Sequence, residues 1–348
     1  MGLALKRVGF KGQRVGVSRS ETLAEALRLD VVDQGYTYEE LGAALEGADL
    51  VLLCTPIERI LSLLPEVGRL AMPGALVTDV GSTKRRIDAE ARRVLGAELL
   101  FVGGHPMAGS EKAGVGAADP FLFQNAIYIL VPPPGKRDAR YVALVELLHG
   151  VGARTMELTV AAHDQVVAAV SHLPQLMATS LVEMVGRLNE QHEVFLPLAA
   201  GGFRDMTRIA SSPFAPVWRD ICRTNADQID HMIGAYIETL EAVRQRLGAD
   251  TLGANFDYAN QVRATIPKDV KGFIHPLAEL LVVAEDRPGI IAEMSAALAL
   301  AQVNISDIEV VKVREGEGGT IRLGFDSEAT VEAAQKILED HGFDARRP

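Results

Sequence analysis

The stretch ADLVLLCTP (residues 48–56) sets the fold. Five consecutive apolar residues, Leu50–Cys54, run into a polar turn ending in proline. A run of that length with no alternation suits a strand buried on both faces, as in a parallel sheet covered by helices. The same pattern recurs on either side. QRVGVSRS (13–20) is a short strand followed by the helix SETLAEALRL (20–29). GALVTDVGS (74–82) is a strand followed by the helix TKRRIDAEARRVL (83–95), and LLFVGGHP (99–106) and AIYILVPP (126–133) are strands ahead of the helix KRDARYVALVELLHG (136–150). Repeated strand–helix units predict a doubly wound α/β region over residues 1–155, with ligands at the carboxyl ends of the strands. The turns beginning CTP, DVGS and GGHP all fall there.

Composition narrows the function classes. The 348 residues are 48% hydrophobic and 23% charged, enough for two or three cores. A net charge of -11 argues against a nucleic-acid or anionic-membrane partner. Cys54 and Cys222 are the two cysteines and lack metal-type spacing, so neither a disulfide framework nor a metal site is expected. With no long apolar run, the chain reads as a cytoplasmic protein.

Residues 156–273 read as helical. AAHDQVVAAVSHLPQLMATSLVEMVGRL (161–188) carries apolar residues at helical spacing, and Pro174 is expected to kink it. DQIDHMIGAYIETLEAVRQRL (227–247) is a long amphipathic helix closed by Gly248, suited to burial against a second subunit. Residues 274–348 give strand, helix, two strands joined by a turn, helix and strand: a ferredoxin-like βαββαβ unit.

Three segments hold candidate chemistry. FVGGHPMAGSEKAGVGAADPFLFQNAIYIL (101–130) places His105 at a strand end in a glycine-rich loop. HDQVVAAVSHLPQ (163–175) supplies His163, Ser171, His172 and Gln175, with Ser171 and Gln175 on one helical face. GGFRDMTRIASSPFAPVWRD (201–220) supplies Arg204, Arg208 and the single tryptophan, Trp218. Spacing alone leaves a bland alternative for each: a surface histidine, a kinked core helix with satisfied polar groups, and a structural ion pair of arginine with Asp205 or Asp220.

ADLVLLCTP, VTDVGSTK, GGHPMAGSEKAG, HDQVVAAVSHLPQ and GGFRDMTRIA follow one another in an order that resembles the prephenate dehydrogenase family, which includes arogenate dehydrogenases. EDRPGIIAEM and NISDIEV resemble an ACT domain, a small amino-acid-sensing module. The resemblance implies oxidative decarboxylation of prephenate to 4-hydroxyphenylpyruvate in tyrosine biosynthesis, with hydride passing to NAD or NADP. It assigns His105 as base for the ring hydroxyl and Ser82 as its companion. It gives Arg208 the side-chain carboxylate, and Ser171, His172, Gln175, Gly201 and Trp218 the pocket. Where the family often has a second histidine, this chain has Gln175, which carries no charge; prephenate and arogenate stay open as substrates.

The cofactor would lie against Gly2, Ser18, Arg19, Thr55, Pro56 and Ser82. Ser18 and Arg19 at the end of the QRVGVSRS strand lean locally toward NADP, whereas the family leans toward NAD, which is favoured. In the ACT-like unit, Asp286, Pro288, Gly289 and Asn304 would bind tyrosine as effector, in a homodimer. The opening MGLALKRVGFKG (1–12) resembles the helix that follows a first strand and glycine-rich turn. The expectation is that about 10–15 residues of strand and turn are missing upstream, leaving a gap in the sheet. That gap is the main support for a second reading, a non-catalytic amino-acid sensor with a degenerate cofactor domain. A β-hydroxyacid dehydrogenase is disfavoured, because residues 156–248 contain no lysine.

Overall fold

Leu76 and Val77 are neighbours in one strand and point into different cores, which is what an apolar strand covered on both faces must do. The computed structural model describes residues 1–109, 114–135, 137–266, 277–285, 287–314 and 318–347. Its first region runs α1 (Gly2–Arg7), β1 (Val15–Val17), α2 (Ser20–Arg28), β2 (Gln34–Tyr36), α3 (Leu41–Leu45), β3 (Leu50–Leu53) and α4 (Ile57–Leu70). It continues with β4 (Leu76–Asp79), α5 (Arg85–Val94), β5 (Leu100–Pro106), β6 (Ile127–Val131), α6 (Ala139–Gly150) and β7 (Arg154–Glu157).

Strands β3-β4-β5-β6-β7 form one sheet. On one face Val51, Leu53 and Val77 pack with α3, α4 and α5, where Ile60, Leu64 and Ile87 have no exposure. On the other, Leu100, Val102 and Leu130 pack with α6 and with Ala4 and Leu5 of α1. Each fully buried leucine or isoleucine contributes about 1.5–3 kcal/mol relative to exposure. β1 and β2 pair in parallel as a separate two-stranded sheet. The Rossmann-like sheet is therefore in two pieces.

Two features depart from that reading. β5 and β6 are antiparallel. Only short turns lie among the described residues between them, and a parallel return would need a crossover element. His105 consequently sits in β5, opposite Ile129, rather than in a loop after it. The bend near Pro174 is a π-helical turn, Ala168–His172, between α7 (Val160–Val167) and α8 (Leu173–Gln191). Pro174 has no N–H for the carbonyl four residues earlier and its ring crowds that carbonyl, so the turn widens.

The helical region continues with α9 (Gly201–Thr207), a 3-10 turn at Arg208–Ser211, α10 (Arg219–Thr224), α11 (Ala226–Gln245) and α12 (Gly253–Thr265). Gly248, three residues past α11, has φ +81, which a glycine adopts without strain. The chain divides into two compact units, Met1–Phe256 and Asp257–Pro348. The second contains β8 (Ala278–Ala284), α13 (Ile290–Leu300), β9 (Asp307–Arg314), β10 (Gly318–Phe325), α14 (Glu328–Asp340) and β11 (Asp344–Arg346). Its antiparallel sheet has the order β11-β8-β10-β9, the expected βαββαβ arrangement. No helix among the described residues is long and apolar enough to cross a membrane.

Candidate active site

Two buried aspartates organise the turn after β4. Asp79 ends that strand, and its carboxylate accepts the amides of Gly81 at 2.8 Å and Gly104 at 3.1 Å. It also pairs with the Lys84 ammonium, and both side chains are fully buried. Burial pulls Lys84 below the ordinary lysine range, against the opposing pull of Asp79. One carboxylate thus fixes the backbone beside Ser82 and the backbone beside His105. Gly104 is required there, because a Cβ would lie 2.4 Å from the Asp79 carbonyl oxygen.

Asp164, on α7, holds the other end of the turn. Its Oδ1 accepts the Lys84 amide at 2.7 Å and its Oδ2 the Arg85 amide at 3.0 Å, satisfying two unpaired N–H groups at the start of α5. Asp220, on α10, does the same for α4 by accepting the Glu58 amide at 3.1 Å. The helical region therefore caps two helices of the sheet region. Burial opposes the charge on Asp164, but hydrogen bonds from His163 and from the two amides outweigh it and hold the carboxyl below its usual value.

His163 Nδ1 lies 2.8 Å from Asp164 Oδ1, and His163 Nε2 lies 2.9 Å from His105 Nδ1. His105 is half-buried and His163 has no exposure. Burial first, then the positive charge of Lys84 and the fields of His163 and His172, hold the His105 imidazole well below its ordinary value. It is neutral at pH 7 and able to accept a proton. The Ser82 hydroxyl has no hydrogen-bond partner among the described residues.

His172 lies in the π turn. Burial pushes its pKa down to about 4. Its Nδ1 is 3.3 Å from the Asn225 side-chain amide, which also donates to the Asp164 carbonyl at 2.9 Å. Trp218 stands edge-on to it, ring centres 6.1 Å apart. Ser171 is half-buried beside it. Gln175 is buried and donates to the Ile209 carbonyl at 2.9 Å, fastening α8 to the turn that begins at Arg208. Arg208 and Gly201 are exposed.

Around the strand ends, the Thr55 hydroxyl is buried without a partner among the described residues. Pro56 precedes α4, Arg19 precedes α2, and the Ser18 amide donates to the Tyr36 carbonyl at 3.2 Å. A Cβ on Gly2 would lie 2.0 Å from the Val31 carbonyl oxygen, so α1 packs there only with glycine. An orphaned hydroxyl at the end of β3 and a glycine at a close helix approach fit a dinucleotide. In the second unit, Gly289 precedes α13 with φ +90. Asn304 lines a depression of about 370 Å³ with Asp326 and Thr330. Asp286 lies outside the described residues. Sequence reasoning left Asp79, Lys84, Asp164 and Asn225 without roles and offered Asp220 only as an ion-pair partner for an arginine. Three of them stood inside quoted motifs, DVGSTK and HDQ, where their partners could not be seen.

Residues 1–157 match the family described as prephenate dehydrogenase, nucleotide-binding domain, residues 159–254 its dimerization domain, and residues 278–340 the ACT domain. A prephenate dehydrogenase of Bacillus subtilis is 36% identical, over 97% of this chain and 91% of that protein. The crystal structure of Aquifex aeolicus prephenate dehydrogenase with hydroxyphenyl propionate and NAD+ superposes with a TM-score of 0.69 at 28% identity, over 76% of this chain and 91% of that one. Synechocystis arogenate dehydrogenase gives 0.65 at 28% identity, over 76% and 93%. By its fold and its likeness along almost its whole length, the chain belongs to the prephenate dehydrogenase family.

Proposed function

We propose that this chain is an NAD-dependent prephenate dehydrogenase of the cytoplasm, converting prephenate to 4-hydroxyphenylpyruvate and carbon dioxide. The observation that carries the reading is His105. It is a neutral, half-buried imidazole at a strand end, held by a hydrogen bond on Nδ1, with Ser82 on the adjoining turn. The nicotinamide supplies the acceptor for the hydride that leaves the carbinol carbon. His105 accepts the hydroxyl proton, with Ser82 sharing the contact. The bond to the ring carboxylate breaks, its electron pair enters the ring, and aromatisation makes the step irreversible.

Arg208 would pair with the side-chain carboxylate. Ser171, His172, Gly201 and Trp218 would shape the pocket, while Gln175 acts through the turn it fastens. Gly2, Ser18, Arg19, Thr55, Pro56 and Ser82 would hold the cofactor. Apolar residues left exposed on α8 and α11, including Val182, Met184, Ile237 and Leu240, support a homodimer through the helical region. Tyrosine is the proposed effector of the ACT domain, at Asp286, Pro288, Gly289 and Asn304.

Absorbance of NADH formed with prephenate or arogenate tests the reading. Turnover of prephenate, lost in His105→Asn, is expected. No turnover of either substrate, or full activity in His105→Asn, sinks it. Titration calorimetry of the full chain with tyrosine tests the effector; no heat and no inhibition would remove it.

A further inference from the structure

The hydrogen bonds around His105 run in one direction. Asp164 accepts two backbone amides, of Lys84 and Arg85, and amides only donate. Its ionised carboxylate has no proton to give, so the 2.8 Å contact with His163 Nδ1 is an N–H donated by the histidine. An imidazole with its one proton on Nδ1 keeps its lone pair on Nε2. The atom 2.9 Å from that lone pair is His105 Nδ1, which must donate. A neutral His105 therefore carries its proton on Nδ1 and its lone pair on Nε2.

We infer that His163 and Asp164 are positioning residues that fix the tautomer and orientation of His105, presenting its Nε2 lone pair to the substrate hydroxyl. The inference rests on the prephenate dehydrogenase reading and adds the device that prepares the base. When the hydroxyl O–H breaks, the proton forms N–H at His105 Nε2. The resulting imidazolium is stabilised through two hydrogen bonds by the Asp164 carboxylate, and no proton moves to His163. Once carbon dioxide has left, the electron pair of the broken bond reaches the former hydroxyl oxygen through the ring, the oxygen takes the proton back from His105 Nε2, and the product leaves as the phenol with His105 neutral again. The charged or titratable groups around His105 are Lys84 and Asp79 from the sheet region and His163, Asp164 and His172 from the helical region. Among the described residues, only the His163–Asp164 pair is hydrogen-bonded in line with the base.

A long-range ¹H–¹⁵N correlation spectrum of the full-length enzyme with ¹⁵N-labelled histidine reads the tautomer directly, with the His105 signals assigned by their loss in His105→Asn. A protonated Nδ1 and an unprotonated Nε2 at neutral pH are expected. The opposite tautomer overturns the inference whether or not any variant folds. In kinetics, His163→Ala should lower kcat about 10²–10³-fold while the KM values for prephenate and NAD change about threefold or less. His163→Gln, whose side-chain carbonyl can still accept from His105 Nδ1, should recover part of kcat. If His163→Ala keeps wild-type kcat while His105→Asn is inactive, the positioning role fails and the base assignment stands. If His105→Asn is active, the base assignment itself has failed.

Discussion

Asp79 accepts the amide of Gly104 at 3.1 Å, so the carboxylate that ends β4 grips the residue just before His105. The approach is close enough that the Asp79 carbonyl oxygen would lie 2.4 Å from a Cβ on Gly104. Gly104→Ala must push β5 away from β4 or break that bond. The expected cost is about 1–3 kcal/mol of stability, from overpacking a filled core. Because the base is displaced, kcat should fall much further than stability explains. Urea denaturation and steady-state kinetics on the same preparation check this; a stable variant with full kcat would show that the bond does not hold the base.

Lys84→Met removes one partner of a buried ion pair and leaves Asp79 with its two amide donors. The expected destabilisation is about 3 kcal/mol. The positive charge of Lys84 is second to burial among the causes that hold His105 low. Its removal lets the imidazole protonate more readily, so the acid limb of kcat/KM should move to higher pH. An unmoved limb would mean that Lys84 does not reach the base electrostatically.

The buried His172 predicts a pH-dependent stability with a definite sign. Its pKa is near 4 in the fold against 6.5 in the unfolded chain, so the unfolded state binds more protons between those values. The contribution is complete above pH 6.5 and is lost as pH falls toward 4. Between pH 7 and pH 5 it amounts to about 2 kcal/mol. His105 shifts in the same direction and adds to the loss. Denaturation midpoints at pH 7 and pH 5 measure it, and His172→Phe should flatten the difference. An equal pH dependence in that variant would assign the effect elsewhere.

Ser18 directly follows β1, where an acidic residue would meet the ribose hydroxyls of NAD, and Arg19 beside it is exposed. Ser18→Asp should raise the ratio of kcat/KM for NAD over NADP by about tenfold or more, through repulsion of the NADP phosphate and a new acceptor for the ribose. An unchanged ratio in paired cofactor assays would remove residue 18 from cofactor choice.

Much of the fold was legible because the dominant physics is local. The unbroken apolar runs at Leu50–Leu53 and Leu76–Val77 can be stable only as strands covered on both sides, and the 3.6-residue spacing of the helices supplies the covers. β2 and β7 escaped the sequence reading, because Gln34–Tyr36 and Arg154–Glu157 lack an apolar run and owe their strand geometry to the neighbour they pair with. The antiparallel turn of β6 was also invisible, since its direction depends on a connection without a crossover element.

The sequence by itself determined the layered α/β region, the helical region, the βαββαβ unit and the residue types clustered at strand ends. Those follow from hydrophobic periodicity and from glycine and proline at turns, each readable within about ten residues. Only the tertiary structure decided what those residues do to one another. His105 and His163 are 58 positions apart and Lys84 and Asp164 are 80 apart, yet both pairs are joined by single hydrogen bonds. A hydrogen bond's direction depends on where two distant segments meet. His105 can therefore be recognised as a candidate from its motif, but its tautomer is set by an aspartate on a helix of the other region.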